Sequence, residues 1–233
     1  MKTLTAIGFD ADDTLWQNEY FYKLTQTRFA EILGDHAEPA HLSERLLEAE
    51  KKNLKLYGFG IKGFTLSMIE TAIEVSDGHV TAAEVQRVID AGKSMIGHPV
   101  ELLEGAREAV QAVARTHKVM LITKGDLFDQ ESKLARSGLG DLFWKIEIVS
   151  EKDERTYRRI LGFHDLAAEQ FLMVGNSLRS DILPVLAVGG RAVHVPYHIT
   201  WAHEHIENAD LPSGAFVALD DLWSLPQVVA SLQ

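Results

Sequence analysis

Short apolar runs recur along this chain at residues 5–9, 118–123, 146–149, 171–174 and 192–195. Between the middle ones lie patterns of helical period, at 106–114, 127–137 and 156–161. Runs that are apolar throughout, rather than on alternate residues, belong to strands buried on both faces. Alternation with helices then predicts a parallel sheet covered on both sides, an α/β core. In such sheets, ligands bind at the carboxyl ends of the strands.

One stretch breaks the alternation. From residue 17 to 97 only helical periodicity is present, at 21–32, 41–56, 65–75 and 82–95, with breaks at 34–39, 57–63 and 77–81. Thr81 followed by Glu84 reads as a capping box for the last of these helices. Helices of this length predict a small bundle of their own, inserted directly after the first strand. The expected organisation is a core from 1–16 and 98–233 and a helical domain from 17–97.

A chain of 233 residues, 46% hydrophobic and 24% charged, can bury a core without disulfides, and it contains no cysteine. The formal net charge is −11, and no block is rich in lysine or arginine. Nucleic-acid binding that rests on neutralising phosphates is therefore not expected. No run of 18 apolar residues is present, so no membrane span is expected. Aspartates arrive by position 10, which does not suit a secretory leader, and the cytoplasm is the expected compartment. An acidic chain that handles phosphate must gather positive charge locally.

The first strand runs into Gly8-Phe9-Asp10-Ala11-Asp12-Asp13-Thr14. Carboxylates crowded at a buried strand end are costly unless something neutralises them, and hard oxygen ligands suit magnesium. In extended chain Asp10 and Asp12 point the same way and Asp13 elsewhere, which pairs a nucleophile with an acid/base. Alternatively this is an acidic turn in which an aspartate caps a helix.

Three later strand ends carry polar groups. After the second strand, the Thr123 hydroxyl and the following N–H groups at Lys124 and Gly125 could hold a phosphoryl oxygen, or Thr123 ends a strand while Asp126 caps a helix. After the third, Lys152 could neutralise a phosphoryl group and orient Asp10; Lys124 is a rival for that task, and either lysine could equally be solvated. After the fourth, Gly175 permits close backbone approach, and Asn176 and Asp181 could complete an oxygen site for magnesium. Asn176 or Ser177 could instead cap the next helix.

The order Asp-x-Asp-x-Thr, Thr, Lys, Gly-Asn-x-x-x-x-Asp along successive strand ends resembles the haloacid dehalogenase-like hydrolase superfamily, over essentially the whole chain. The resemblance implies a Rossmann-like parallel sheet core with a helical-bundle cap domain. It further implies a Mg2+-dependent phosphatase acting on a small phosphorylated metabolite. In that reading Asp10 attacks phosphorus and forms an aspartyl-phosphate. Asp12 protonates the leaving alkoxide and then deprotonates the hydrolytic water. Thr123 binds a phosphoryl oxygen, Lys152 stabilises charge around Asp10, and the metal is held by Asp10, the Asp12 carbonyl and Asp181. Two departures stand out: Asn176 occupies a position where many members have Asp, and Lys152 lacks the following proline common there. The amide predicts weaker metal binding than a third carboxylate.

Related activities share these residues. A phosphomutase differs only in cap contacts, whereas a 2-haloacid dehalogenase has no need of Asp12. A receiver-like module would place its phosphorylated aspartate on a later strand, and a non-catalytic phosphate-binding relative would not need an intact Asp10, Asp12 and Asp181. The loop at 57–64, rich in glycine and aromatics, is either a plain helix connection or a substrate-reading loop in which Lys62 meets an anionic group. His194, His198, His203 and His205 are expected to line a surface loop rather than to bind zinc.

Overall fold

The computed structural model describes residues 3–199, 201, 204 and 216–232. In chain order the chain forms β1 (Ala6–Phe9), then helices α1 (Glu19–Ile32), α2 (Pro39–Tyr57), α3 (Ile61–Val75) and α4 (Ala82–Gly97). There follow α5 (Ala106–Ala114), β2 (Lys118–Lys124), α6 (Leu127–Ser137), β3 (Lys145–Val149), α7 (Glu154–Phe163) and β4 (Phe171–Gly175). The chain continues through α8 (Leu183–Ala187), β5 (Arg191–His194), β6 (Val217–Ala218) and α9 (Leu225–Ser231). Among the described residues no helix is long and apolar enough to cross a membrane.

The strands form one parallel sheet in the order β3-β2-β1-β4-β5-β6. Period two divides its side chains between two cores. Ile7, Phe9, Val119, Leu121, Leu172 and Val174 join α5 and α9 residues such as Val110, Val113 and Val229 on one side. Ala6, Met120, Ile122, Phe171 and Met173 meet Tyr157 and Ile160 of α7 and Val185 of α8 on the other. Both faces are thus covered, which is why the strands read as continuous apolar runs. The order places β1 between β2 and β4, where the winding reverses, so the carboxyl end of β1 opens onto the crevice that this topology creates. β6 was not expected, because two residues leave no periodicity to read.

Two compact units are formed. The α/β unit comprises Met1–Glu19, Val100–Lys124 and Gln130–Gln233; the helical unit comprises Tyr20–Pro99 with Gly125–Asp129. Residues 17–19 stay with the α/β unit for a local reason: Gln17 N–H donates to Glu101 O at 2.9 Å, and the Asp13 carboxylate accepts from the N–H groups of Asn18 and Glu19. The helical unit has its own core, built on Phe29, Leu33, Leu42, Leu46, Ile61, Phe64, Met68 and Val88. The capping box of α4 forms, with Glu84 N–H donating to Thr81 Oγ1 at 3.2 Å and Thr81 N–H donating to Glu84 Oε2 at 2.7 Å.

Candidate active site

Asp10 continues β1, its N–H donating to Val174 O at 2.9 Å, and its side chain is buried. Beyond it the chain turns tightly: Leu15 N–H donates to Ala11 O, and Asp13 takes a left-handed φ of 61°. That turn sends the neighbouring carboxylates in different directions. Asp13 folds back onto the start of α1, and burial together with Asp12 pushes its carboxyl up to about 8. The capping interpretation of the acidic turn therefore holds for Asp13, while Asp10 and Asp12 are free of it.

Asp10 sits in a closed polar cluster. Lys152 Nζ donates to Asp10 Oδ1 and, at 2.7 Å, to Asp181 Oδ1. Thr14 Oγ1 donates to Asp10 Oδ2 at 3.1 Å and accepts the Asn176 N–H at 3.0 Å; the Asn176 Oδ1 lies 3.3 Å from the same hydroxyl. Asp181, completely buried, takes the Ser177 N–H on Oδ2 at 3.0 Å. It lies in a π-helical turn, Leu178–Ile182, whose wider loop is marked by the Ile182 N–H to Ser177 O bond of 3.3 Å. Such turns are rare and concentrate at functional sites. Ser177 also caps this turn, accepting the Ser180 N–H at 3.0 Å, as the capping reading of this segment expects.

One buried ammonium faces two buried carboxylates, and burial and these three charges together set both titrations. Burial pushes Asp10 up to about 7, against the pull of Lys152. Burial also disfavours the Lys152 ammonium, but Asp10 and Asp181 outweigh it and hold its pKa above the ordinary lysine value. Of the two lysines considered for this place, Lys152 is the one on Asp10. Lys124 turns instead to Glu204 and to Ser180 Oγ at 2.8 Å, with Glu151 at 3.6 Å.

The oxygen set suits a hard divalent cation. The Asp10 and Asp181 carboxylates and the Asn176 Oδ1 are hard oxygen donors, and the cluster has one more carboxylate than ammonium. A Cβ at residue 175 would lie 2.3 Å from Asp181 Oδ2, so only glycine leaves this cradle open. Among the described residues no three His, Cys, Asp or Glu side chains come together as a metal cluster.

Asp12 is held separately. Trp16 Nε1 donates to its Oδ1 at 2.7 Å, Gln130 Nε2 to its Oδ2 at 2.8 Å, and Lys133 Nζ lies 3.1 and 3.2 Å from its two oxygens. Thr123 is buried beside it, its Oγ1 accepting from the same Gln130 amide at 3.2 Å. Gly125 has a φ of 140°, which glycine alone takes without strain. Asp126 caps the start of α6 through the Asp129 N–H at 3.1 Å. Lys62 belongs to the helical unit, where its ammonium is largely exposed and bonds Asp126 Oδ1 at 2.9 Å. His194 Nε2 meets the Asn176 carbonyl at 2.9 Å, and burial lowers its pKa. His198 packs on Tyr197, and His203 and His205 lie outside the described residues.

Gln130, Lys133 and Glu204 had no signal in the sequence. The first two are polar residues three apart on a helix, which read as a solvated face. Glu204 lies far along the chain, and its carboxylate accepts from Lys124 Nζ, Ser177 Oγ and, at 2.7 Å, Ser180 Oγ. Although burial opposes it, Lys124 leads the interactions that pull Glu204 down to about 2.

A family model described as haloacid dehalogenase-like hydrolase matches residues 4–189. The chain is 46% identical to a haloacid dehalogenase-like family hydrolase from Xanthomonas campestris, whose crystal structure superposes with a TM-score of 0.88 over 99% of this chain and 92% of that one. It is 24% identical over 237 residues to glyceraldehyde 3-phosphate phosphatase of Methanothermobacter thermautotrophicus, spanning 97% of this chain and all (100%) of the relative. L-2-haloacid dehalogenase of Xanthobacter autotrophicus shares the fold at 14% identity, with a TM-score of 0.68 over 99% of this chain and 100% of that one. The family match runs from the first strand past the fourth and takes in every residue of the buried Asp10 cluster, and the chain belongs to the haloacid dehalogenase-like hydrolases.

Proposed function

We propose that this hydrolase cleaves a small phosphomonoester through a covalent aspartyl-phosphate on Asp10, with Asp12 as acid/base and the helical unit as a cap. The observation that carries the reading is the buried Asp10 carboxylate at the centre of the sheet, gripped by Lys152 and Thr14. A nucleophile so held loses little freedom on attack, and phosphoryl transfer depends mainly on positioning and charge stabilisation. The 24% identical relative, named as a phosphatase, supports the same class.

The steps follow from the groups present. An Asp10 oxygen forms a bond to phosphorus as the ester P–O bond breaks, and Asp12 gives its proton to the departing alkoxide. Water then attacks the aspartyl-phosphate, its proton passes to Asp12, and the P–O bond to Asp10 breaks to release inorganic phosphate. The Lys152 ammonium offsets charge around Asp10 throughout, and the Thr123 hydroxyl holds a phosphoryl oxygen. Asp10, the Asp12 carbonyl, Asp181 and Asn176 would hold Mg2+, which when bound neutralises the carboxylates and the phosphoryl oxygens. The presence of Asp12 favours phosphate esters, whose leaving alkoxide needs a proton.

The test is inorganic phosphate release from a panel of sugar, triose and nucleotide phosphates, glyceraldehyde 3-phosphate among them, with Mg2+ present or chelated. Release that needs Mg2+ and vanishes in a folded Asp10→Asn variant is the expected result. Near wild-type turnover by Asp10→Asn would remove the covalent mechanism. No release from any ester by the folded protein would move the reading to a mutase, a dehalogenase or a binding protein.

A further inference from the structure

We propose that Gln130 and Lys133, spaced three residues apart on α6, are positioning residues that fix the Asp12 carboxylate for both proton transfers. The inference rests on the acid/base role proposed for Asp12. Neither residue belongs to the strand-end pattern from which the site was read.

The geometry is specific to Asp12. The single Gln130 amide nitrogen lies 2.8 Å from Asp12 Oδ2, 3.2 Å from Thr123 Oγ1 and 2.6 Å from Lys124 O. It thereby ties the acid/base side chain to the end of β2, where the phosphoryl group would bind. Its orientation is fixed by the Lys124 carbonyl, which can only accept. Lys133 Nζ spans both Asp12 oxygens, at 3.1 and 3.2 Å, and is anchored in turn by Asn18 Oδ1 at 2.9 Å. With the Trp16 indole on Oδ1, both oxygens are constrained and the carboxylate plane cannot rotate freely.

The Gln130 side chain is only 2% exposed, and its Oε1 has no hydrogen-bond partner among the described residues. Leaving a buried acceptor unmade costs about 1–3 kcal/mol. A glutamine kept only to stabilise α6 has no reason to bear that cost; one kept for what its nitrogen holds does. Asp12 must reach the leaving oxygen in one half-reaction and the water in the other, so a misplacement of about 1 Å costs on the order of 100-fold in rate.

A partly buried ion pair that merely stabilises the fold is the competing explanation, and leaving-group dependence separates the two. Gln130→Met and Lys133→Met keep side-chain volume and remove the donors. Each is to be assayed on p-nitrophenyl phosphate, whose leaving group needs little protonation, and on an alkyl phosphate such as glycerol phosphate. The expected result is that kcat on the alkyl ester falls about tenfold or more beyond the fall on the activated ester. Asp12→Ala should show the same selectivity, and adding Gln130→Met to Asp12→Ala should cause no further selective loss. Residual p-nitrophenyl phosphate turnover certifies that each variant is folded, and if one is not, the other carries the test. Equal losses on both esters, or full additivity with Asp12→Ala, would overturn the positioning role while leaving the acid/base role intact. Equal losses for Asp12→Ala itself would instead sink the acid/base role, and the inference with it.

Discussion

Gly8 and Gly175 lie on neighbouring strands, yet the absence of a Cβ serves different ends at the two positions. A Cβ on Gly8 would lie 2.6 Å from Phe171 Cζ and 3.0 Å from Met173 Sδ, inside the core beneath the sheet. Gly8→Ala should overpack that core and cost about 1–3 kcal/mol, read as a lower urea midpoint. The three atoms nearest a Cβ on Gly175 all belong to the Asp181 side chain, 2.3 to 2.6 Å away. Gly175→Ala should push Asp181 off Lys152 and lower kcat by about 100-fold, with a smaller change in melting temperature. If the two variants lose stability and activity in the same proportion, the division between packing and site is wrong. The close approach expected at Gly175 was legible in the sequence; the group it admits, Asp181 from the same loop, was not.

Elements were legible where one face repeats over several turns. The expected helices 106–114 and 127–137 coincide with α5 and α6, and the capping box of α4 forms as expected. Thr81→Ala should therefore lower the melting temperature by about 2–4 °C, measured by circular dichroism. An unchanged melting curve would mean that α4 is held by packing alone. Short elements escaped notice: β6 has two residues, α8 has five, and the π-helical turn before α8 is a hydrogen-bond arrangement with no residue signature. The polar side of α6 escaped for another reason. Gln130 and Lys133 have the composition of a solvated helix face, and only packing against the end of β1 turns that face into part of the site. Lys152 was legible through its order among the strand ends, since a lysine in a loop carries no signal of its own.

At the scale of the whole molecule, two units with separate cores need not answer alike to pH. The helical unit buries Glu50 on α2, as it does Asn53, Ser67 and Thr71, and Glu50 Oε2 has no hydrogen-bond partner among the described residues. Burial pushes its carboxyl up from 4.5 to about 7, with Lys23 opposing. An acid whose pKa is raised by folding binds its proton more tightly in the folded state, so stability falls as pH rises between those values and is level above the higher one. The full penalty is about 3 kcal/mol, present from about pH 7 upward and absent below the unfolded pKa. Glu50→Gln should thus stabilise the protein at pH 8 and change little at pH 4.5. The probe matters, because Trp16, Trp144, Trp201 and Trp223 all belong to the α/β unit. Far-ultraviolet dichroism, weighted toward helix, should register the gain in urea midpoint at pH 8. Tryptophan fluorescence should register it only if both units unfold in one transition. A pH dependence by dichroism that survives Glu50→Gln unchanged would place its origin elsewhere than the buried carboxyl.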